Sequence, residues 1–274
     1  MKLDQEIQAG EPTFSPDGTR VAMHLYRGAA WSIGVFDLGR GQTTPIAMTG
    51  DSFSPSWTSD GKRVAFISNR DGEYDRFVMR SDGSATPEPQ FARSQGFSFT
   101  RSSWSRDGRH VVYERMWDIW LQDTVEGSEP RPLMTTSAHE AAPVFSPDGR
   151  FIAYESDESG RIEVYVRPFP QVDAGRELVS RSGGHRPVWS RDGHELFYSS
   201  EAGLMLVPVS SGNNNGSRFG QPSLVFKMSG IASFDVSPDG KTFAIERLPF
   251  ETLANEIHVV LNWHEELKRL VPAK

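Results

Sequence analysis

An Asp-Gly pair follows a short aromatic segment six times along this 274-residue chain. The copies are FSPDG from Phe14, WTSDG from Trp57, WSRDG from Trp104, FSPDG from Phe145, WSRDG from Trp189 and VSPDG from Val236. The aspartates, Asp17, Asp60, Asp107, Asp148, Asp192 and Asp239, are spaced by 43, 47, 41, 44 and 47 residues. A unit of that length cannot bury its apolar side alone, so the copies must stack against one another.

Each unit reads as four short antiparallel strands. The first ends at the aromatic residue, and the Asp-Gly reverses the chain, with Gly supplying the positive φ that a tight turn requires. An apolar second strand follows, such as RVAMHL from Arg20, RVAFIS from Arg63 or FIAYE from Phe151. A polar loop leads to a third strand, such as RFVMR, DIWLQ or IEVYVR, and a short fourth closes the unit. Six such units predict an all-β, six-bladed β-propeller, one domain over residues 1–274. The blades fall at about 9–50, 51–95, 96–137, 138–181, 182–229 and 230–261, on the repeat length of such folds. The recurrent Phe or Trp reads as a wedge between adjacent blades. A residue present in every repeat serves the repeat, which argues against a sugar-stacking platform.

The last unit is short of an outer strand, and Lys2–Gln8 have no partner of their own. The expectation is that Lys2–Gln8 complete the sixth blade and fasten the ring, leaving no long exposed edge. NWHEELKRLVP, from Asn262, reads as a short C-terminal helix: Asn262 and Glu265 form a capping box, Lys268 and Arg269 suit the last turn, and Pro272 stops it.

Composition excludes several chemistries. There is no cysteine, hence no disulfide, thiolate nucleophile or Cys-ligated zinc. A net charge of −7 with scattered basic residues argues against nucleic acid as a partner. No apolar run is long enough for a membrane-spanning helix, and MKLDQEIQAG has no apolar core of a signal peptide. The compartment stays open: cytoplasmic if Met1 is the native start, periplasmic or extracellular if the chain is trimmed. A monomer is expected. No GxSxG, HExxH, GxGxxG or P-loop occurs.

The [FW]S-P/R-DG units, with their Ser-Asp/Asn-rich loops, resemble the propeller repeats of the bacterial TolB family. SNRDGEYDRFVMRSDGS, from Ser68 to Ser84, is similar to that repeat throughout. YVRPFP at Tyr165–Pro170 and VVLNWHEELKRLVP at Val259–Pro272 look like soil-bacterial propellers, some joined to kinase or DNA-binding domains. The resemblance implies a sensory or interaction module. TolB's α/β N-terminal domain has no counterpart in this sequence.

In each blade the start of the first strand and the end of the second share one face. Reading back from each Asp-Gly, the channel-mouth residues are Glu11, Asp51, Arg101, His139, Glu140, His185 and Arg186, with His24, Glu114, Glu155 and Glu246 at second-strand ends. These are candidate ligand-binding residues. His139 and His185 begin adjacent blades and with Glu140 could hold a divalent metal or do acid–base work. Arg101 and Arg186 could grip a carboxylate. The alternative is that all are solvated loop residues in local salt links. NRDG at Asn69–Gly72 and DESG at Asp157–Gly160 suit turns better than calcium, SGNNNGS at Ser211–Ser217 reads as a linker-like loop, and His258 and His264 read as structural.

Three functions follow. The first is a non-catalytic binding or sensor module, taking a peptide, a protein or a small polar ligand at the channel mouth. The second is a metal-dependent lyase or hydrolase of sugar acids or lactones, since TolB-like propellers include pectate-fragment lyases. The third, the gating propeller of a prolyl-oligopeptidase-like enzyme, needs a hydrolase domain that this sequence does not contain. With no nucleophile motif, the first is preferred.

Overall fold

A computed structural model of the chain describes residues 8–26, 28, 30–90, 102–125, 128–210 and 218–247, and the backbone of 256–261. Blade one comprises β1 (Gln8–Phe14), β2 (Arg20–Tyr26), β3 (Trp31–Asp37) and β4 (Gln42–Ala47). Blade two has β5 (Ser52–Trp57), β6 (Arg63–Asp71), β7 (Glu73–Arg80) and β8 (Glu88–Pro89). Blade three has β9 (Ser103–Trp104), β10 (His110–Arg115), β11 (Asp118–Asp123) and β12 (Arg131–Met134). Blade four has β13 (Glu140–Phe145), β14 (Phe151–Ser156), β15 (Glu163–Pro168) and β16 (Glu177–Leu178). Blade five has β17 (His185–Trp189), β18 (Glu195–Ser200), β19 (Gly203–Pro208) and β20 (Ser223–Phe226). A last sheet contains β21 (Ile231–Val236), β22 (Thr242–Arg247) and β23 (Glu256–Leu261).

Every sheet is an antiparallel meander in chain order, as units joined by short turns must be. The sequence predicts a sixth four-stranded blade completed by Lys2–Gln8; among the described residues there are instead five four-stranded blades and a last sheet of three strands. Gln8 is also reassigned: it pairs with Tyr26 inside blade one, so it belongs to the innermost strand there and not to the sixth blade's edge. Residues 2–7 and the expected helix from Asn262 lie outside the described residues, as do Ser211–Ser217 and His264. Among the described residues the only helical element is a 3₁₀ turn, Val172–Ala174, and no helix is long and apolar enough to cross a membrane.

The repeated turn is held by one device. In blade one Ser15 Oγ donates to Asp17 Oδ1 (2.5 Å), the same carboxylate accepts Thr19 N (3.0 Å), and Gly18 sits at φ 72°. Thr58/Asp60, Ser105/Asp107, Ser146/Asp148, Ser190/Asp192 and Ser237/Asp239 repeat it. The hydroxyl partner holds Asp17 at a pKa of about 2. Six locally satisfied turns fix where each second strand begins.

The aromatic wedge is as expected. Trp57 packs between Ile33, Val35 and Ile46 of blade one and Val64, Phe66 and Phe77 of its own blade. Phe145 stands likewise between blades three and four, and Trp189 between four and five. Phe14 shares a core with Ala244 of β22, so the first blade packs on the last sheet and the ring is closed by side chains. Between blades two and three lies a fully buried Arg76 stacked 4.6 Å from the Tyr113 ring; burial, first among its influences, brings its pKa down to about 10.

An axial cavity of about 760 Å³ runs through the ring, lined by residues of β1, β5, β9, β13, β17 and β21. Its two mouths differ. One is rimmed by the Asp-Gly turns, the other by the starts of the first strands.

Candidate ligand-binding mouth of the axial channel

The first strands are not regular at the second mouth. Glu11, Ser54, Ala142 and Arg186 have φ of 49°, 52°, 49° and 53°, a left-handed conformation that costs a non-glycine residue free energy. Each stands six positions before its turn aspartate and coincides with a register shift in the pairing to the second strand. These are β-bulges, which re-aim side chains at strand ends.

Neighbouring blades satisfy the bulges. Glu155, at the end of β14, accepts Arg186 N at 2.7 Å on Oε1. Glu246, at the end of β22, accepts Glu11 N at 3.0 Å and Ser233 Oγ at 2.7 Å on Oε2. Glu155 and Glu246 are thus caps for the next blade's backbone. The sequence carried the signal, a glutamate seven positions after Asp107, Asp148 and Asp239, but only the ring shows what it caps. Gly10 is required at this joint, because a Cβ there would lie 2.3 Å from His24 Nε2 and 2.7 Å from Glu246 Oε1.

Of the predicted mouth residues, the structure gathers some and separates others. His185 and Arg186 line the axial cavity together with Glu155. His185 Nδ1 lies 3.3 Å from Glu155 Oε2, and that hydrogen bond, the leading cause, raises the imidazole's pKa above 6.5. Arg186 Nη1 lies 3.6 Å from Glu11 Oε1, and Glu11 Oε2 is 3.6 Å from His24 Nδ1. Asp51 is further out: its Oδ1 accepts Trp31 N at 2.9 Å, and its own N donates to Asn69 Oδ1 at 2.7 Å. Arg101 lies outside the described residues.

His139 is exposed and turned away from the channel. It stacks on Trp117 at 4.8 Å and 22°, with Nδ1 3.5 Å from Asp157 Oδ2. Glu140 is buried; Thr136 Oγ1 donates to its Oε1, and burial, the dominant influence, raises its pKa. The two histidines therefore engage different carboxylates and do not converge with Glu140. Among the described residues no three His, Asp or Glu side chains are grouped as a metal would need. His139, His185 and Glu140 do not fit a shared divalent cation, and no chemistry is routed through one. Asn69 and Asp157, in the two loops weighed for calcium, instead clamp the first strands: each side-chain oxygen accepts the N–H of Asp51 or His139. His258 lies in β23.

Comparison with known proteins agrees with this architecture. Residues 4–121 match the TolB beta propeller domain. The Tol-Pal system protein TolB of Bordetella pertussis is 31% identical over 159 residues, 57% of this chain and 36% of the relative. The chain thus spans little more than a third of the length of the curated relatives it matches. TolB of Acinetobacter baumannii superposes with a TM-score of 0.66 at 16% identity, covering 93% of this chain and 61% of that one. An oligogalacturonate lyase from Vibrio parahaemolyticus superposes at 0.62 with 10% identity, covering 95% of this chain and 77% of that one, a likeness of fold alone. Repeat, ring and relatives coincide: the chain is a β-propeller whose repeats are similar to those of the TolB family.

Proposed function

We propose that this propeller is a binding module that receives a polar group of a peptide or protein partner, or of a small polar ligand, at the mouth bordered by Glu155, His185 and Arg186. The observation that carries the reading is the placement of His185 and Arg186, which with Glu155 are the predicted mouth residues that line the axial cavity among the described residues. Their side chains are 48% and 41% exposed, while Glu155 and Glu11 behind them are nearly buried. A guanidinium and an imidazole are thereby held on carboxylate supports, with side chains partly open to solvent. The Bordetella relative is a protein of the Tol-Pal system, which supports a protein partner.

The test is a thermal-shift screen of a peptide library and of hexuronic acids, repeated on His185→Ala/Arg186→Ala. The expected outcome is a hit whose Tm rise the double substitution removes. If no hit loses its Tm rise on the double substitution, with the fold intact by circular dichroism, this placement is wrong.

A further inference from the structure

The opposite mouth carries a second set of charges that the reading above does not use. The residue before each turn aspartate lines the axial cavity in all six repeats: Pro16, Ser59, Arg106, Pro147, Arg191 and Pro238. The alternation of SPDG and SRDG in the sequence thus becomes a ring around one opening, with arginines from blades three and five and prolines between them.

Those arginines are surplus to the local charge balance. Five of the turn aspartates have a Lys or Arg two or three residues on: Arg20 for Asp17, Lys62 for Asp60, Arg109 for Asp107, Arg150 for Asp148 and Lys241 for Asp239, while Asp192 has His194. Arg106 makes no hydrogen bond or ion pair among the described residues. Arg191 is fixed across the opening, where Nη1 donates to the Pro16 carbonyl of blade one. Four of its five N–H donors remain. Among the described residues, the acidic side chains on the cavity wall are Glu155 and Glu201, toward the far mouth, and Asp235, whose oxygens accept Phe14 N (2.7 Å) and Val236 N (2.9 Å).

We infer that Arg106 and Arg191 form a second binding site, specific for a carboxylate on an apolar carbon frame. A guanidinium fork matches a carboxylate with two parallel hydrogen bonds. Pro16, Pro147 and Pro238 supply an apolar rim for the ligand's carbons. Phosphate is disfavoured here, because the turn N–H groups of Gly18 and Thr19 and their equivalents are already bonded within the turns, leaving no backbone cradle.

Binding of glutarate and of a hexaglutamate peptide is measured by NMR titration and calorimetry on the intact chain, with glutaramide and inorganic phosphate as controls. At least one carboxylate probe binds, glutaramide does not, and Arg106→Gln and Arg191→Gln each weaken binding roughly tenfold or more, the scale of one charge-assisted contact. Glutarate alone marks a small acid as the ligand, and the peptide alone an acidic protein segment. Arg106 makes no hydrogen bond or ion pair among the described residues, so Arg106→Gln decides the matter even if Arg191→Gln loosens the ring. His185→Ala/Arg186→Ala leaves this binding unchanged. The inference is overturned if neither probe binds at millimolar concentration, if Arg106→Gln has no effect, or if phosphate binds as well as glutarate. Loss on His185→Ala/Arg186→Ala instead would overturn it while leaving the other mouth's reading intact.

Discussion

Arg186 of β17 reaches Glu11 of β1 across the last sheet, Nη1 to Oε1 at 3.6 Å, so blades five and one are tied over β21. Glu11 is 12% exposed and Arg186 41%, which makes this contact intermediate between a screened surface pair and a buried one. Arg186→Ala is expected to lower stability by about 1 kcal/mol. Urea unfolding at low and high salt checks it: a loss that salt does not diminish would assign the effect to packing.

Trp57 tests the wedge. Trp57→Ala should cost about 3–5 kcal/mol, the range for truncating a buried aromatic. Trp57→Phe keeps the wedge but loses the bond from Nε1 to Thr13 O (3.0 Å), at about 1 kcal/mol. Equal effects in chemical denaturation would show that ring volume is not what holds blades one and two together.

Gly10→Ala drives a methyl between His24 and Glu246. Overpacking of this kind costs about 1–3 kcal/mol. Hydrogen exchange should show the Glu11 amide losing protection first, because Glu246 must move away from it. Unchanged exchange would mean that the joint relaxes without breaking that bond.

Two pH responses of opposite sign follow from the hydrogen bonds. The folded pKa of His185 is raised above 6.5, so the Glu155 pair adds stability that is fully present below pH 6.5 and lost as pH rises through the raised value. Asp17 is lowered from 3.8 to about 2, so its turn adds stability present above pH 3.8 and lost as pH falls toward 2. Glu155→Gln should bring the His185 imidazole titration back down, and Ser15→Ala should bring Asp17 up, both read by NMR. Unmoved titrations would remove these partners as the cause.

The β10–β11 hairpin turns through Met116 and Trp117, with φ of 52° and 70°, where a two-residue turn of this kind favours Asn-Gly. Met116→Asn with Trp117→Gly should raise stability by about 1 kcal/mol through relieved strain. The aromatic neighbour of His139 is lost at the same time, which its ring proton shifts will report. A net destabilisation would mean that the exposed stack outweighs the strain.

The sequence alone determined the repeat, the six Asp-Gly turns, the order of strands and the aromatic wedge, because turn chemistry and alternation of apolar residues act over a few neighbours. It also pointed to the residues at the first-strand starts. Which of them meet was a matter of the ring. His139 and His185 occupy equivalent stretches of adjacent repeats, yet one stacks outward on Trp117 and the other lines the channel beside Glu155. Glu155 and Glu246, at second-strand ends, looked like free mouth residues and proved to be caps for left-handed bulges in the next blade. The residues before the turn aspartates looked like ordinary turn positions and proved to encircle the axis. Contacts between copies depend on curvature and bulge geometry accumulated around the closed ring, which no single repeat encodes. The tertiary structure therefore decided where charge converges.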